Sequence, residues 1–516
     1  MNTPAVIITE SDKSNITISE NSKNITFFAG YFHRGEINRP TYFNSVVDFK
    51  HYYGIFNESN INDWYQVYNY FQYSNNIIVT RCVDESKDLF NSSASLPNST
   101  PPITILNKED FDYKDEFEDI LSNNYINVIA NTPGEWGNKI SFALFTLKEF
   151  NRNVVIYNNT RVKDIVNYME EGDYCIVVIY NNTIVEIFNK KYSDIEEINN
   201  ESKYIYVKHD LLNYTVYDGN IFYIDGNIDK CNGNEPYDYE TGIHVAKYGD
   251  NIIKLSGGIS YSPRQVDIEN AYNEIKDEKY YINFIIGNER NNNASINLAN
   301  YRKDCIAFVG IPKLNYNESL AYVKDLLPSE FTCIIGNYKK QYDNKYSKDI
   351  YVNFAGDIAG LRSSIPVIES YCNMKYKILG CVNINMRLVP KDINTLYKNN
   401  VNCVTIFDNR AVINTERLNC RPNHISNVTN RNIFNLLYKE CTAILSEFLF
   451  ELNNEIVVEN IKSKLNILLH QFKYRNEISN YKIIVRQTDK EIITDIIIQP
   501  NYLVNFVRLR FINQGT

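Results

Sequence analysis

The chain carries ITFFAGY at Ile25–Tyr31 and NIIVTRCV at Asn76–Val83, two short apolar runs rich in β-branched and aromatic residues. Runs of this length and composition predict buried strands. Between them lie two segments with helical spacing, Ser45–Tyr53 and Asn62–Tyr73. The first has a serine that can cap it and ends at Gly54. Strand, helix, helix and strand in this order predict an α/β layer.

Further along the chain the pattern changes twice. From about residue 150 to 255, short β-type runs separated by turn residues predict a β-rich module. Tyr281–Ile286 and Cys305–Gly310 then read as buried strands with helical stretches around them, which predicts parallel α/β pairing. The C-terminal third contains two amphipathic helices and three strand-like runs: Thr429–Leu452, Ile456–Phe472, Tyr481–Arg486, Ile492–Ile498 and Leu503–Ile512.

Composition and charge limit the classes of partner. The 516 residues carry a net charge of −9, whereas proteins that depend on phosphate contacts usually have a basic surplus. We therefore expect no direct binding of nucleic acid. No apolar run approaches the ~18 residues of a membrane helix, so we expect no membrane insertion. Ten scattered cysteines without a CxxC pair indicate reduced thiols rather than a disulfide framework.

The sequence shows no motif for catalysis. It contains no P-loop, no GxGxxG, no GxSxG and no HExxH, and its six histidines are widely spaced. We interpret Gly257-Gly258 and the segment Gly356–Gly360 as turn glycines rather than phosphate cradles. We therefore predict no catalytic residue, no cofactor and no metal ligand. This favours a structural or interaction protein.

Several segments, taken in order, resemble one family. They are Ile25–Tyr31, Arg34–Thr41, Phe49–Gly54, Pro133–Asn138 (PGEWGN), Leu255–Gly258, Tyr301–Phe308, Asn353–Leu361, Ile498–Pro500 and Asn505-Phe506. Together they resemble the tail sheath proteins of contractile-tailed phages, closest to the T-even type. Each motif alone is weak, but their order extends across nearly the whole chain. Arg362–Lys377 departs from the Pro/Trp-rich stretch that is usual in the family.

The resemblance implies a structural subunit of a contractile tail. Family members form stacked hexameric rings around a tail tube and contract from a metastable extended state, which drives the tube through the host envelope for genome delivery. The implied partners are further copies of the chain, the tail tube protein, the baseplate and the tail terminator or neck proteins. The implied location is the virion, after assembly in the host cytoplasm.

The resemblance also implies terminal arms that add strands to the sheets of neighbouring subunits. β-type segments at both ends of the chain agree with such arms. The expected strand-exchange residues are Ala5, Val6, Ile7, Ile8, Val504, Phe506, Val507 and Leu509. Arg508 and Arg510 are candidates for contacts with the tube or for ion pairs, and ordinary solvated charges are the alternative.

We accordingly expect a multidomain α+β or α/β fold, with an α/β sheath core built from N- and C-terminal parts. The expected division is a series of ranges: 1–20 as the N-terminal arm, 21–90 with 300–375 as a discontinuous α/β domain, 91–124 as a reduced outer insertion or linker, 125–299 as a β-rich inserted outer domain, and 376–516 as the C-terminal core domain with an arm from about residue 480.

Two other functions are compatible with the sequence. The sheath of a related contractile device, such as a tailocin or an injection system, would need the same structural properties. Its gene neighbourhood would distinguish it, because capsid and terminase genes would be missing. A remote alternative is an α/β enzyme, for example one acting on sugars. An enzyme would form a small soluble oligomer, and its ligand would raise the melting temperature.

Overall fold

The computed structural model describes residues 24–501, except for 97–101, 114–125, 154, 158–159, 171–172, 192–194, 210–213, 218–219, 224–236, 239–242, 247–252, 278, 387, 424 and 489–490. Its strands are β1 (Thr26–Gly30), β2 (Thr41–Phe43), β3 (Ile77–Arg81), β4 (Ser93–Leu96), β5 (Ile126–Ala130), β6 (Ile140–Thr146), β7 (Val155–Tyr157), β8 (Thr160–Arg161), β9 (Asp173–Tyr180), β10 (Thr183–Lys191), β11 (Ile205–His209), β12 (Tyr214–Tyr217), β13 (Asn220–Tyr223), β14 (Tyr237–Asp238), β15 (Ile243–Ala246), β16 (Ile253–Lys254), β17 (Phe284–Ile286), β18 (Ile306–Gly310), β19 (Thr332–Ile335), β20 (Tyr338–Asp343), β21 (Lys348–Asn353), β22 (Asn383–Ile384), β23 (Val401–Asn402), β24 (Val404–Phe407), β25 (Arg410–Ile413), β26 (Ile478–Gln487) and β27 (Ile492–Pro500). Its α-helices are α1 (Val46–Tyr53), α2 (Ile61–Tyr70), α3 (Lys108–Tyr113), α4 (Leu147–Arg152), α5 (Val162–Ile165), α6 (Ile195–Glu201), α7 (Gln265–Asn273), α8 (Asn292–Arg302), α9 (Tyr316–Lys324), α10 (Ala355–Ser364), α11 (Pro390–Lys398), α12 (Val428–Ser446) and α13 (Glu455–Tyr474).

A seven-stranded sheet lies at the centre, in the order β2-β3-β1-β17-β18-β19-β23. Its neighbouring strands are parallel, except that β2 pairs antiparallel with β3. Helices cover both faces. Phe28 of β1 packs in a core with α1, α2 and α10, whereas Phe27 and Ala29 face a second core with α7, α8 and α9. The α/β layer expected from Ile25–Tyr31 and Asn76–Val83 is confirmed.

Residues 265–299 belong to the central sheet and its covering helices. The sequence-based division instead assigns them to the β-rich insertion at 125–299. They form α7, β17 and most of α8, and β17 pairs with β1 on one side and β18 on the other. Phe284, Ile285 and Ile286 are all fully buried. A strand buried on both faces is typical of parallel sheets covered by helices. The insertion therefore returns to the central sheet before Gln265.

The β-rich module contains the sheets β10-β9-β6-β16, β11-β5-β4 and β12-β13-β15-β14. Its first and last chain segments run side by side, because Phe90 pairs with Ile259 and Ser93 pairs with Ser256, both antiparallel. β4 lies within the range 91–124 and pairs with β5. The described part of that range therefore packs with the module, which is attached to the central sheet through a two-chain stalk.

The segment Gly356–Gly360 lies in helix α10, so its interpretation as a turn is wrong. The two glycines are four residues apart and therefore face the same side of the helix. A Cβ at Gly356 would lie 2.2 Å from the carbonyl oxygen of Gln66, and one at Gly360 would lie 2.7 Å from that of Tyr70. Both contacts are on α2. The glycines are needed here for close contact between two helix backbones rather than for a turn.

Glu289 follows β17 and holds a carboxylate oxygen, Oε1, that is buried without a hydrogen-bond partner among the described residues. Burial raises the pKa of Glu289 from 4.5 to about 8. The folded chain therefore keeps a proton at neutral pH that the unfolded chain loses. Between pH 4.5 and about 8, the free energy of unfolding from this group falls as pH rises.

We expect Glu289→Gln to remove this pH dependence, because glutamine is uncharged in both states. The variant should melt at a higher temperature than the parent chain at about pH 8 and at nearly the same temperature at about pH 5. Thermal unfolding at the two pH values measures the effect. Glu269→Gln on the exposed side of α7 is the control and should change neither melt. If Glu289→Gln changed the melting temperature equally at both pH values, the raised pKa of Glu289 would be contradicted.

Candidate assembly surface

The described C-terminal part ends in a hairpin of β26 and β27. Its register runs from Ile478 opposite Pro500 to Gln487 opposite Ile492, with an irregularity between Ile478 and Asn480. Within the described residues neither strand pairs with a third one. In the described part of the chain both edges of the hairpin are therefore open, and open edges present N–H and C=O groups on which another strand can pair.

Two helices support one face of this hairpin. The amphipathic helices expected at Thr429–Leu452 and Ile456–Phe472 are confirmed as α12 and α13, which begin after the capping residues Asn427 and Asn454. The apolar sides of both helices pack against alternate residues of the hairpin: Tyr481, Ile483, Val485, Ile496 and Ile498. Two long helices thus hold a short two-stranded sheet that would be marginal by itself.

The other face of the hairpin is only partly polar. Arg486 forms an ion pair with Asp495 across the strands. Beside this pair lie Ile493, which is 37% exposed, and Ile497, which is 55% exposed. A two-stranded sheet with open edges and exposed isoleucines can bury further apolar surface when additional strands join it.

The chain leaves this region close to the hairpin. Nδ2 of Asn501 donates to the carbonyl oxygen of Asn476, 2.6 Å away, in the turn just before β26. At the other end, Nδ2 of Asn24 donates to the carbonyl oxygen of Ser363, 3.1 Å away, near the end of α10. The residues expected to exchange strands or contact the tube all lie outside the described range and stay predictions: Ala5, Val6, Ile7, Ile8, Val504, Phe506, Val507, Arg508, Leu509 and Arg510.

A second feature is the joint between the central sheet and the β-rich module. Arg81, at the end of β3, is fully buried. Its guanidinium donates to the carbonyl oxygens of Phe32, Gly35 and Pro133, each at 2.8 Å. Phe32 and Gly35 belong to the N-terminal segment and Pro133 to the module. One arginine therefore connects three chain segments.

Arg34 reinforces the same joint. Its guanidinium lies over the rings of Tyr204 at 4.1 Å, Trp136 at 5.0 Å and Tyr180 at 5.9 Å from the ring centroids. It also donates to the carbonyl oxygens of Tyr52 and Lys203. Cation–π contacts of a desolvated arginine are worth roughly 2 kcal/mol. Arg34 thus joins the N-terminal α/β segment to the module.

The PGEWGN and LSGG segments also meet at this joint. Oδ1 of Asn138 accepts from the backbone N–H of Gly258 at 2.9 Å and from Oγ of Ser92 at 2.8 Å, and Nδ2 of Asn138 donates to the carbonyl oxygen of Gly258. Four of the quoted motifs therefore contact one another at the base of the module: Arg34–Thr41, Phe49–Gly54, Pro133–Asn138 and Leu255–Gly258. Their role in the structure is to fix this base.

Sequence reasoning quoted Arg34 only as part of a motif and did not identify Arg81. A signal for Arg81 was present, since it is the lone charged residue in the apolar run Asn76–Val83. A buried charge in a strand requires several hydrogen-bond acceptors. Which carbonyl groups supply them depends on loops that are distant in the sequence, so the signal alone could not identify the joint.

The described ranges contain no group of three or more His, Cys, Asp or Glu side chains that could hold a metal ion. None of the helices in the part of the chain that the structure describes combines the length and hydropathy of a membrane span. The nine described cysteines form no disulfide.

Comparison with known proteins found two curated relatives. The tail sheath protein of Vibrio phage KVP40 is 24% identical over 256 residues, which cover 42% of this chain and 38% of that protein. The tail sheath protein of Enterobacteria phage T4 is 23% identical over 448 residues, which cover 75% of this chain and 65% of that protein. The chain thus spans less than two thirds of the length of each relative. No family model matches the sequence.

Solved structures give a wider match. A sheath tail protein from Listeria innocua superposes with a TM-score of 0.59 at 12% identity, over 93% of this chain and 96% of that chain. A sheath tail protein from Desulfitobacterium hafniense gives a TM-score of 0.57 at 10% identity, over 93% of this chain and 97% of that chain. The chain therefore has the mixed α/β multidomain fold of these proteins, as its sequence motifs indicate.

Proposed function

We propose that this chain is the structural subunit of a contractile phage tail sheath. The observation that carries the proposal is the match of nearly the whole chain to sheath tail proteins, together with sequence similarity to two phage tail sheath proteins. In this role the chain polymerises as stacked hexameric rings around a tail tube. It contracts from a metastable extended state and acts as a mechanical part rather than as an enzyme.

The open hairpin supports a specific mode of assembly. A terminal arm of one subunit pairs along an edge of β26 or β27 in a neighbour, and backbone hydrogen bonds hold it there. The 23 residues before Asn24 span up to about 80 Å when extended, which is enough to reach an adjacent subunit. Ala5, Val6, Ile7 and Ile8 would supply one arm, and Val504, Phe506, Val507 and Leu509 the other.

Contraction follows from such an architecture without a nucleotide. Arms that are hinged at Asn24 and Asn501 allow the folded body to rotate as a rigid unit while the strand pairing is kept. The free-energy difference between the extended and contracted polymers drives the movement. Arg508 and Arg510 would then contact the tube or form ion pairs between subunits. The tube, the baseplate and the terminator or neck proteins are the proposed partners in the virion, which is assembled in the host cytoplasm.

Strand exchange predicts that Ile7→Pro prevents polymerisation, because proline cannot donate a backbone hydrogen bond to a neighbouring strand. Ile7→Val is the matched control, since valine keeps both the N–H and the β propensity. Negative-stain electron microscopy of the purified chains, with and without the tail tube, should show striated tubes for the parent and for Ile7→Val only. All three chains should melt at the same temperature. Normal tubes from Ile7→Pro would contradict the arm role.

A further inference from the structure

The surface of α13 and of the loop before it carries the most exposed apolar side chains in the described part of the chain. Phe450 is 99% exposed, Tyr474 83%, Leu452 78% and Ile456 71%, and Ile467 of the same helix is 59% exposed. Isolated exposed apolar residues are ordinary, but several on one side of the same element are a candidate interaction surface. The hairpin and α12 occupy the opposite side of α13, so this group has no partner within the described chain.

The exposed residues of α13 form a straight stripe. Ile456, Ile467 and Tyr474 are separated by 11 and 7 residues, which correspond to about three and two helical turns. They therefore lie within about 20° of one another around the helix axis. The positions between them on this stripe are Asn460, Ser463 and His470. The stripe thus has apolar residues near both ends, one apolar residue near its middle, and no Asp, Glu, Lys or Arg.

Charges beside the stripe are arranged with opposite signs at its two ends. Glu455 and Glu459 lie beside its first turns, Lys462 follows on the same side, and Lys473 lies on that side near the end of the helix. Among the described contacts, Glu459 pairs only with Lys462, and Lys473 reaches only the amide oxygen of Asn480. Glu455, Glu459 and Lys473 are exposed.

We propose that this stripe binds the same stripe of a second copy of the chain, in antiparallel orientation. Ile456 then lies against Tyr474 of the partner subunit, and Ile467 lies near the two-fold axis. In antiparallel helix pairs, residues on the same side of the two seams meet, so Glu455 and Glu459 lie on either side of Lys473 of the partner subunit. Apolar pattern and charge pattern therefore indicate the same register.

The size of the surface sets the strength of the contact. A 20-residue helix is about 30 Å long. Two such stripes, with Phe450 and Leu452 at their ends, form an interface at the low end of the sizes found for specific complexes. We therefore expect a weak dimer whose population depends on concentration. The ion pairs define orientation more than they add affinity, since exposed pairs contribute little.

The dimer itself does not require the proposed function. Only its role before assembly rests on that function. Subunits of a polar tube meet through heterologous contacts, and a two-fold contact cannot be repeated along such a tube. The antiparallel dimer therefore belongs to the free chain and must dissociate before the subunit enters a sheath. It keeps the stripe covered until assembly begins.

Sedimentation equilibrium of the full chain over a concentration series tests the proposal. We expect a monomer–dimer equilibrium in the parent chain. Ile467→Glu should raise the dissociation constant by about tenfold or more, because the two-fold axis brings two charges into the centre of the contact. Lys473→Glu should weaken the dimer, and adding Glu455→Lys to Lys473→Glu should restore it in part, since Glu459 still faces the new glutamate. A chain that is monomeric at every concentration, or a double variant as weak as Lys473→Glu, would overturn the proposal.

Two further measurements distinguish loss of the dimer from unfolding and from loss of the sheath function. Thermal unfolding at concentrations below the dissociation constant should be the same for all variants, which shows that Ile467→Glu has not disturbed the fold. Tube formation, followed by electron microscopy, should persist in Ile467→Glu. If the parent chain forms dimers but no tubes, the sheath function fails and the dimer stands. If Ile467→Glu loses tubes while its dimer is unchanged, the stripe belongs to the assembled sheath and the proposal is overturned.

Discussion

Gly356→Ala should destabilise the chain by several kcal/mol, although alanine in an ordinary helix interior is about 1 kcal/mol better than glycine. The added Cβ would lie 2.2 Å from the carbonyl oxygen of Gln66. That oxygen is part of the α2 backbone and cannot rotate away. The two helices must therefore separate.

Separation also breaks hydrogen bonds across the helix contact. The backbone N–H of Gly356 donates to Oε1 of Gln66 at 2.7 Å, and Nε2 of Gln66 donates to the carbonyl oxygen of Asn353 at 3.3 Å. Both bonds are buried, so their loss leaves unsatisfied groups. The substitution combines overpacking with lost hydrogen bonds, which is why its effect is large.

Thermal unfolding of the full chain measures the loss as a lower melting temperature. Ser364→Ala at the exposed end of α10 is the control, since it removes one local hydrogen bond from Ser364 to Leu361 and introduces no contact. Its melt should stay close to that of the parent chain. A melting temperature of Gly356→Ala equal to or above that of Ser364→Ala would contradict the role given to the glycine.

Arg81→Met is the second substitution with a large expected effect. Methionine fills similar space but removes the donors to Phe32, Gly35 and Pro133. Burial lowers the pKa of Arg81 to about 10, so the guanidinium is still charged at neutral pH. Hydrogen bonds from a charged donor are worth about 1.5–3 kcal/mol each. With three carbonyl groups left without that donor, we expect a loss of about 4 kcal/mol or more.

The loss should be localised at the joint. Limited proteolysis should cut Arg81→Met near residues 131–135 sooner than the parent chain, and thermal unfolding should show an earlier transition. Arg39→Met is the matched control, because Arg39 is half-exposed and its ion pair with Glu36 spans only three residues. Such pairs contribute little. Equal protease resistance of the two variants would show that Arg81 does not hold the module.

Local patterns predict the elements that are stabilised by near neighbours. α12 and α13 follow from apolar spacing alone, and β1 and β3 follow from short β-branched runs. The sheet partner of β17 does not follow from any local pattern. β17 pairs with β1, and the backbone N–H of Ile25 donates to Oδ1 of Asn283, 258 positions further on. Because a large insertion separates the two strands in the sequence, their pairing cannot be predicted from local patterns.

The two glycines of α10 show another limit. Glycine is typical both of turns and of close helix contacts, and the sequence around Gly356 and Gly360 is equally compatible with each. The choice depends on α2, which lies nearly 300 residues earlier in the chain. The surface stripe of α13 could not be predicted from the sequence for a related reason. Ile456, Ile467 and Tyr474 are apolar residues at helical spacing, and only the structure shows that they face away from the core.

The two-chain stalk of the β-rich module has a consequence for how such proteins diversify. The chain enters the module at Phe90 and returns at Ile259 on a directly paired neighbour. The module therefore connects to the central sheet as a hairpin loop does, with its two ends held side by side. Since the entropy of closing a loop grows only slowly with its length, domains of different size can occupy this position while the strand order of the sheet is kept. The module is thus free to vary in size and in surface residues without a change in the sheet to which it is attached.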